Sequence, residues 1–139
     1  MREKRIHPLK DDKILTDWNG LMIAAFARAS VIFNDDTYLK AAIKSSEFVL
    51  NKISKNGKLL KRVRNNKAAI NSHLDDYAFI SWGSLEIYEA TFETKYLSKC
   101  LDLMNIMVED FWDDKMNVNL KHYFFAIQSV KKSMIKNKG

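Results

Sequence analysis

Asp11-Asp12-Lys13-Ile14-Leu15-Thr16-Asp17-Trp18-Asn19-Gly20 crowds acids, a lysine, a tryptophan and an amide directly ahead of the apolar run from Leu21 to Ala27. Thr16 offers an N-cap hydroxyl and Asp17 a first-turn carboxylate, where free amides and the helix dipole favour both. A helix is therefore expected from Asp17 to Phe33. Its apolar positions run nearly all the way round, so it should be buried on most sides. A second junction of the same kind, His73-Leu74-Asp75-Asp76-Tyr77, opens another such helix from Asp76 to Phe92. Polar residues at the mouths of two buried helices read either as a site or as one capping device used twice.

Each of these helices is followed by an amphipathic one. After the turn Asn34-Asp35-Asp36-Thr37, Leu39, Ala42, Ile43, Ser46, Val49, Leu50 and Ile53 recur at helical spacing above a polar back, and Asn56-Gly57 reads as the C-terminal stop. Leu97, Cys100, Leu101, Met104, Met107, Val108 and Phe111 do the same in a helix from Lys95 to Trp112. Between the pairs, Leu59 to Arg64 is a short extended run followed by Asn65-Asn66, within a connection long for a compact helical domain.

The second pair repeats the first. Thr16-Asp17-Trp18 falls on Asp75-Asp76-Tyr77, Phe33 on Phe92 and, after a one-residue deletion, Tyr38-Leu39 on Tyr96-Leu97, a unit of about 59 residues. The expected fold class is all-α. Two antiparallel helical hairpins, 16–55 and 75–114, follow an extended lead-in at 1–15 marked by Pro8, and 115–139 is a basic tail or an extra C-terminal helix. One all-round apolar helix paired with one amphipathic helix suits an α/α toroid, whose inner helices touch neighbours and lumen, and equally an α-solenoid.

The 139 residues, 47% hydrophobic and 12% aromatic, fit one globular domain. No apolar run approaches the length of a membrane span, and no signal-peptide core follows Met1-Arg2-Glu3-Lys4-Arg5, so a cytoplasmic protein without membrane association is expected. The net charge of +6 is scattered over several clusters without interleaved aromatics, so nucleic-acid binding is not expected. Cys100 is the single cysteine and reads as core. The glycines form no nucleotide-binding pattern, and His7, His73 and His122 have no metal-ligand spacing, so no cofactor and no metal are expected.

The run Pro8 to Ala25, with Leu74-Asp75-Asp76-Tyr77-Ala78-Phe79 and Leu85-Glu86-Ile87-Tyr88-Glu89-Ala90-Thr91, resembles the thioredoxin-domain-containing family of spermatogenesis-associated protein 20, the DUF255 group. The resemblance covers about Arg5 to Asp113. It implies a piece of a domain like the six-hairpin glycosidases and N-acylglucosamine 2-epimerases, without the family's thioredoxin-like domain. An intact domain of that kind would act on a sugar or related small molecule by acid/base chemistry, and this piece is expected to be inactive alone.

Within that resemblance, Asp17 and Asp76 stand at the mouths of adjacent inner helices as a general acid and general base pair, with His73 as a proton-transfer group. Each acid alone is better explained by the helix dipole, and His73 at least as well by capping or exposure. Trp18 and Tyr77 are candidate stacking walls for a sugar ring, or core aromatics. Asn19 is a ligand hydrogen-bonding group or part of the helix start. Asp11, Asp12 and Asp75 are further candidates, and Lys13 and Arg64 offer charge to a carboxylate or phosphate. A non-catalytic module that meets a second copy, or the remainder of a toroid, through uncovered inner-helix faces is the alternative.

Overall fold

The computed structural model describes Ile6 and residues 10–111. The outer lead-in, residues 112–114 of the expected second repeat and the expected tail or extra helix at 115–139 lie outside the described residues. In chain order the elements are β1 (Ile14–Leu15), α1 (Thr16–Phe33), α2 (Asp36–Lys52), β2 (Ser54–Lys55), β3 (Lys58–Arg64), β4 (Lys67–Asn71), α3 (Leu74–Thr91) and α4 (Thr94–Phe111). The two hairpins are present, with α1 and α3 as their all-round apolar members.

The fold is mostly helical but not purely all-α. A small antiparallel sheet is built on β3, which pairs with β1, β2 and β4. Two tight turns make it. Asn56 and Gly57, with φ of 53° and 81°, join β2 to β3, and Asn65 and Asn66, with φ of 50° and 58°, join β3 to β4. Two residues both at positive φ are what a two-residue hairpin with right-handed strand twist requires, and Asn-Gly supplies them at little steric cost. The Asn56-Gly57 pair is therefore a hairpin turn and not a helix stop. The second helix ends earlier, at Lys52, where Ile53 caps it through its N–H on the Val49 carbonyl at 2.9 Å.

α1 and α3 pack on each other more extensively than any other pair, with α2 behind α1 and α4 behind α3. Glycine permits the approach. A Cβ on Gly20 would stand 2.6 Å from the Phe79 carbonyl carbon and 2.8 Å from the Ile80 nitrogen, and one on Gly83 would stand 2.8 Å from Ile23 Cγ2. Backbone therefore lies against backbone at this crossing. Ile23, Ala27, Tyr77, Ile80 and Ile87 fill the centre, Val49 and Ile53 close it from α2, Leu101 and Met107 from α4, and Leu59 and Val63 from β3. Cys100 is buried, and burial pushes its thiol up to about 12, which keeps it protonated and unreactive.

The repeat holds with one change of register. Thr16 and Leu74, Phe33 and Thr91, and Asp36 and Thr94 are each 58 residues apart as the matching boundaries of the two hairpins. Both inner helices end in a left-handed residue, Asn34 and Phe92. By helix position Asp17 therefore corresponds to Asp75 and Trp18 to Asp76, one residue away from the expected pairing.

Candidate functional site at the mouth of the inner helices

Thr16 is the first helical residue of α1 and not its cap. Leu15 is the N-cap and has no side chain to offer a hydrogen bond. Because Leu15 is still paired with Arg62 in the sheet, the Thr16 hydroxyl turns to the strand and donates to the Leu60 carbonyl at 2.5 Å. The exposed amides of α1 need another acceptor. Asp76 provides one: its Oδ1 accepts the Asp17 N–H at 3.0 Å, while its Oδ2 accepts the N–H of His73, the N-cap of α3, at 2.7 Å. One carboxylate thus serves the starts of both inner helices.

Lys61 completes the cluster from β3. Its Nζ lies 2.8 Å from Asp17 Oδ2, 3.2 Å from Asp76 Oδ1 and 3.7 Å from Asp75 Oδ2. Lys61 is in strand phase with Leu59 and Val63, both buried, which turns it inward. Burial opposes the Lys61 charge, yet the hydrogen bonds to Asp17 and Asp76 and their charges outweigh it and raise its pKa above 10.5. Burial pushes the Asp76 carboxyl above its ordinary value and the Asp17 charge adds to this, against the His73 N–H and the Lys61 ammonium. Lys61 has no motif around it, and only its phase between two apolar strand residues marks it in the sequence.

The other expected residues divide by exposure. His73 and Asp75 are exposed at the mouth, and Asp75 Oδ1 accepts the Asp76 N–H at 3.1 Å. Asp76 is 0% exposed, and both its oxygens are occupied by donors. Tyr77 does not form a wall. It is 1% exposed, its ring packs on Phe111 at 5.7 Å and its hydroxyl accepts the Leu59 N–H, so its ring faces the core. Trp18 is 68% exposed at the mouth. Asn19 donates from Nδ2 to the Leu15 carbonyl at 2.7 Å and so helps close the helix start. It also borders a hollow of about 250 Å³ with Ile14, Lys44 and Phe48.

Asp11, Asp12 and Lys13 lie in the exposed lead-in and pair locally. Lys13 Nζ meets Asp11 Oδ2 at 3.1 Å, and Arg64 Nε meets Asp12 Oδ1 at 2.6 Å. These ion pairs share no residue with those of Lys61, so the ten-residue opening stretch divides into surface ion pairs and a buried joint. His73, Asp75 and Asp76, neighbours in the second junction, bring together ligand atoms that all lie within 4.8 Å of one another. Those are residue types that hold a divalent cation, but the Lys61 ammonium already lies against Asp76 and near Asp75, and Asp76 has no oxygen left over.

A separate groove between α1 and α3 has a volume of about 390 Å³ and includes Ala27, Val31, Glu86 and Glu89 in its lining. Glu86 is buried there, accepting from Trp82 Nε1 at 2.7 Å and paired with Arg28 Nε at 3.1 Å. No helix among the described residues is long and apolar enough to cross a membrane.

Fold and site together define a pair of αα-hairpins with parallel inner helices whose starts are joined by a lysine from an inserted β-hairpin. The chain is 30% identical over 120 residues to the uncharacterized protein B0495.5 of Caenorhabditis elegans, covering 81% of this chain and 16% of that protein. It is 28% identical over 124 residues to spermatogenesis-associated protein 20 of Homo sapiens, covering 82% of this chain and 16% of that protein, and 30% identical over 113 residues to the protein of that name in Rattus norvegicus, covering 74% and 14%. These similarities support the family of spermatogenesis-associated protein 20. The chain spans 14 to 16% of the length of these relatives. No protein-family model matches the chain.

Proposed function

We propose that the chain is a two-hairpin portion of a six-hairpin glycosidase- or epimerase-like domain of the DUF255 group, and that a sugar or related small molecule is handled by acid/base chemistry at the inner-helix mouth. The observation that carries this reading is the convergence of Asp17 and Asp76 on Lys61 beneath the exposed His73 and Asp75. His73 then meets the ligand and moves the proton, while Asp76 fixes the backbone of the His73 N-cap. Trp18 offers an open aromatic face beside them. The chemistry belongs to the completed domain, and the portion alone is inactive.

The test is a thermal-shift screen of neutral and amino sugars against this chain and against full-length human spermatogenesis-associated protein 20. The reading expects a sugar that stabilises the full-length protein, with the effect lost when the residue at the position of His73 is changed to alanine. A full-length protein that no sugar stabilises, and whose stability profile ignores that change, contradicts it.

A second reading is favoured by the surface of α1. Trp18, Leu21, Met22, Val31, Ile32 and Phe33 are all exposed on a helix of inner-helix character. A soluble helix that shows this much apolar surface is suited to association, so we propose that the chain is a helical interaction module that meets its partner through the inner-helix faces. Light scattering tests it, since a monomer at every soluble concentration is the contrary result.

A further inference from the structure

The 58-residue repeat relates the two inner helices residue by residue, and it also relates the faces they use. α3 meets α1 through Asp76, Ile80 and Gly83: Asp76 accepts the Asp17 N–H, Ile80 lies against Gly20, and Gly83 lies against Ile23 and the Gly20 carbonyl. The residues of α1 at the same repeat positions are Trp18, Met22 and Ala25, and all three are exposed. In the other direction, α1 meets α3 through Gly20 and Ile23, with Ala24 and Ala27 buried beside them. Their counterparts on α3 are Ala78, Ser81, Trp82 and Leu85. Ser81 is buried, Ala78 and Leu85 are half-buried with one side against the core, and Trp82 is 43% exposed.

The chain therefore carries an open front on α1 and a partly open back on α3 centred on Trp82, and these are the two halves of an interface it already makes internally. Size complementarity is kept. At the closest points of the internal crossing, Gly20 and Gly83, the repeat places alanines, Ala78 and Ala25. Small residues in those places let two helices approach without displacing backbone, and the larger Trp82 and Met22 lie beside them on opposite faces.

We infer that a second copy of this chain covers these faces, the α3 back of one copy docking on the α1 front of the next in the manner in which α3 docks on α1 within the chain. This rests on the association reading above and gives it a partner and a geometry. The contact is heterologous, because the two surfaces differ, so assembly continues past a dimer to a closed ring or an open row.

The test uses the 139-residue chain, size-exclusion chromatography with light scattering, and two exposed-site variants, Met22→Lys on the front and Trp82→Lys on the back. Far-UV circular dichroism confirms the fold, and Ala78→Glu replaces Trp82→Lys if that variant unfolds. The wild-type chain is expected to exceed twice the monomer mass as concentration rises, and each variant alone to remain a monomer. An equimolar mixture of the two variants should recover twice the monomer mass, because each retains the face that the other lacks. A wild-type chain that associates while the mixture stays monomeric overturns the head-to-tail geometry but leaves the association reading standing. A wild-type chain that is a monomer throughout overturns both.

Discussion

Asp76 accepts the backbone N–H of Asp17 at 3.0 Å, so the first turn of one hairpin is capped by a carboxylate from the next. Leu15, the N-cap of α1, has no polar side chain, and the cap that sequence would place locally at Thr16 arrives from a residue 59 positions away. The price of burying that carboxylate is offset by Lys61, which reaches both acids from a strand inserted between the hairpins.

Removing the ammonium should expose that cost. Lys61→Met leaves two inward-facing carboxylates without their cation, and a loss of about 3 kcal/mol is expected, at the low end for broken buried pairs because Lys61 keeps 17% of its side chain exposed. Lys61→Arg should cost less, since the charge stays while the compact three-way geometry is lost. Urea unfolding at neutral pH measures both. A Lys61→Met protein as stable as the wild type would show that the cluster contributes nothing to the fold.

The pH dependence has a definite sign. The folded Asp76 carboxyl is raised above 3.8, chiefly by burial, so its contribution to stability is complete below 3.8 and is lost as pH rises through its folded value. Comparing the wild type with Asp76→Asn at a series of pH values isolates it. The difference in unfolding free energy should move against the wild type as pH climbs from below 3.8 and then level off. A difference that moves in favour of the wild type over the same window would mean a lowered pKa.

A backbone strain sits opposite Lys61. Ile70 has φ of 70°, a left-handed conformation that costs a β-branched residue about 1 to 2 kcal/mol, and it is flanked by the pairs Leu60 with Asn71 and Arg62 with Ala69. Its side chain is exposed, so little packing is lost on truncation. Ile70→Gly is expected to raise stability by about 1 kcal/mol, read from thermal or urea unfolding. A destabilised variant would indicate that the Ile70 side chain supports the hairpin.

The inner-helix crossing predicts a contrast between glycines. Gly20→Ala puts a methyl within 2.6 Å of the Phe79 backbone, which has no flexible end to yield, and a loss of about 3 kcal/mol is expected. Gly57→Ala meets no atom within 4 Å and is strained only by its φ of 81°, so a loss of about 1 kcal/mol is expected. Equal effects at the two positions would argue against backbone-to-backbone packing of α1 on α3.

The helices were legible because their apolar spacing is long and regular, and three of the four begin or end within about two residues of the expected limits. Of the sheet only β3 was, as the extended run from Leu59 to Arg64. The rest was not, for reasons visible in particular residues. β1 and β2 are two residues each, too short for any alternation to show, and β4 is Lys67-Ala68-Ala69-Ile70-Asn71, with neither alternation nor β-branched enrichment. Asn56-Gly57 carried the hairpin signal but also fits a helix C-terminus, and only pairing with β3 decides between them. At the site, the acids were legible as helix-mouth residues. Their cation was not, because Lys61 stands in a strand among Arg62 and Arg64, and its inward direction depends on a register that tertiary pairing sets. Tyr77 resembled Trp18 in sequence, yet a one-residue shift in helix position turns it into the core.

The joint between the hairpins is tested most directly by amide hydrogen exchange at Asp17 and His73, the two N–H groups held by Asp76, in the wild type and in Lys61→Met. If one lysine secures both helix starts, both amides should exchange faster together in the variant while the amides of the α1 and α3 centres keep their protection. Exchange at Asp17 and His73 that stays as slow as in the wild type would contradict a joint held by Lys61.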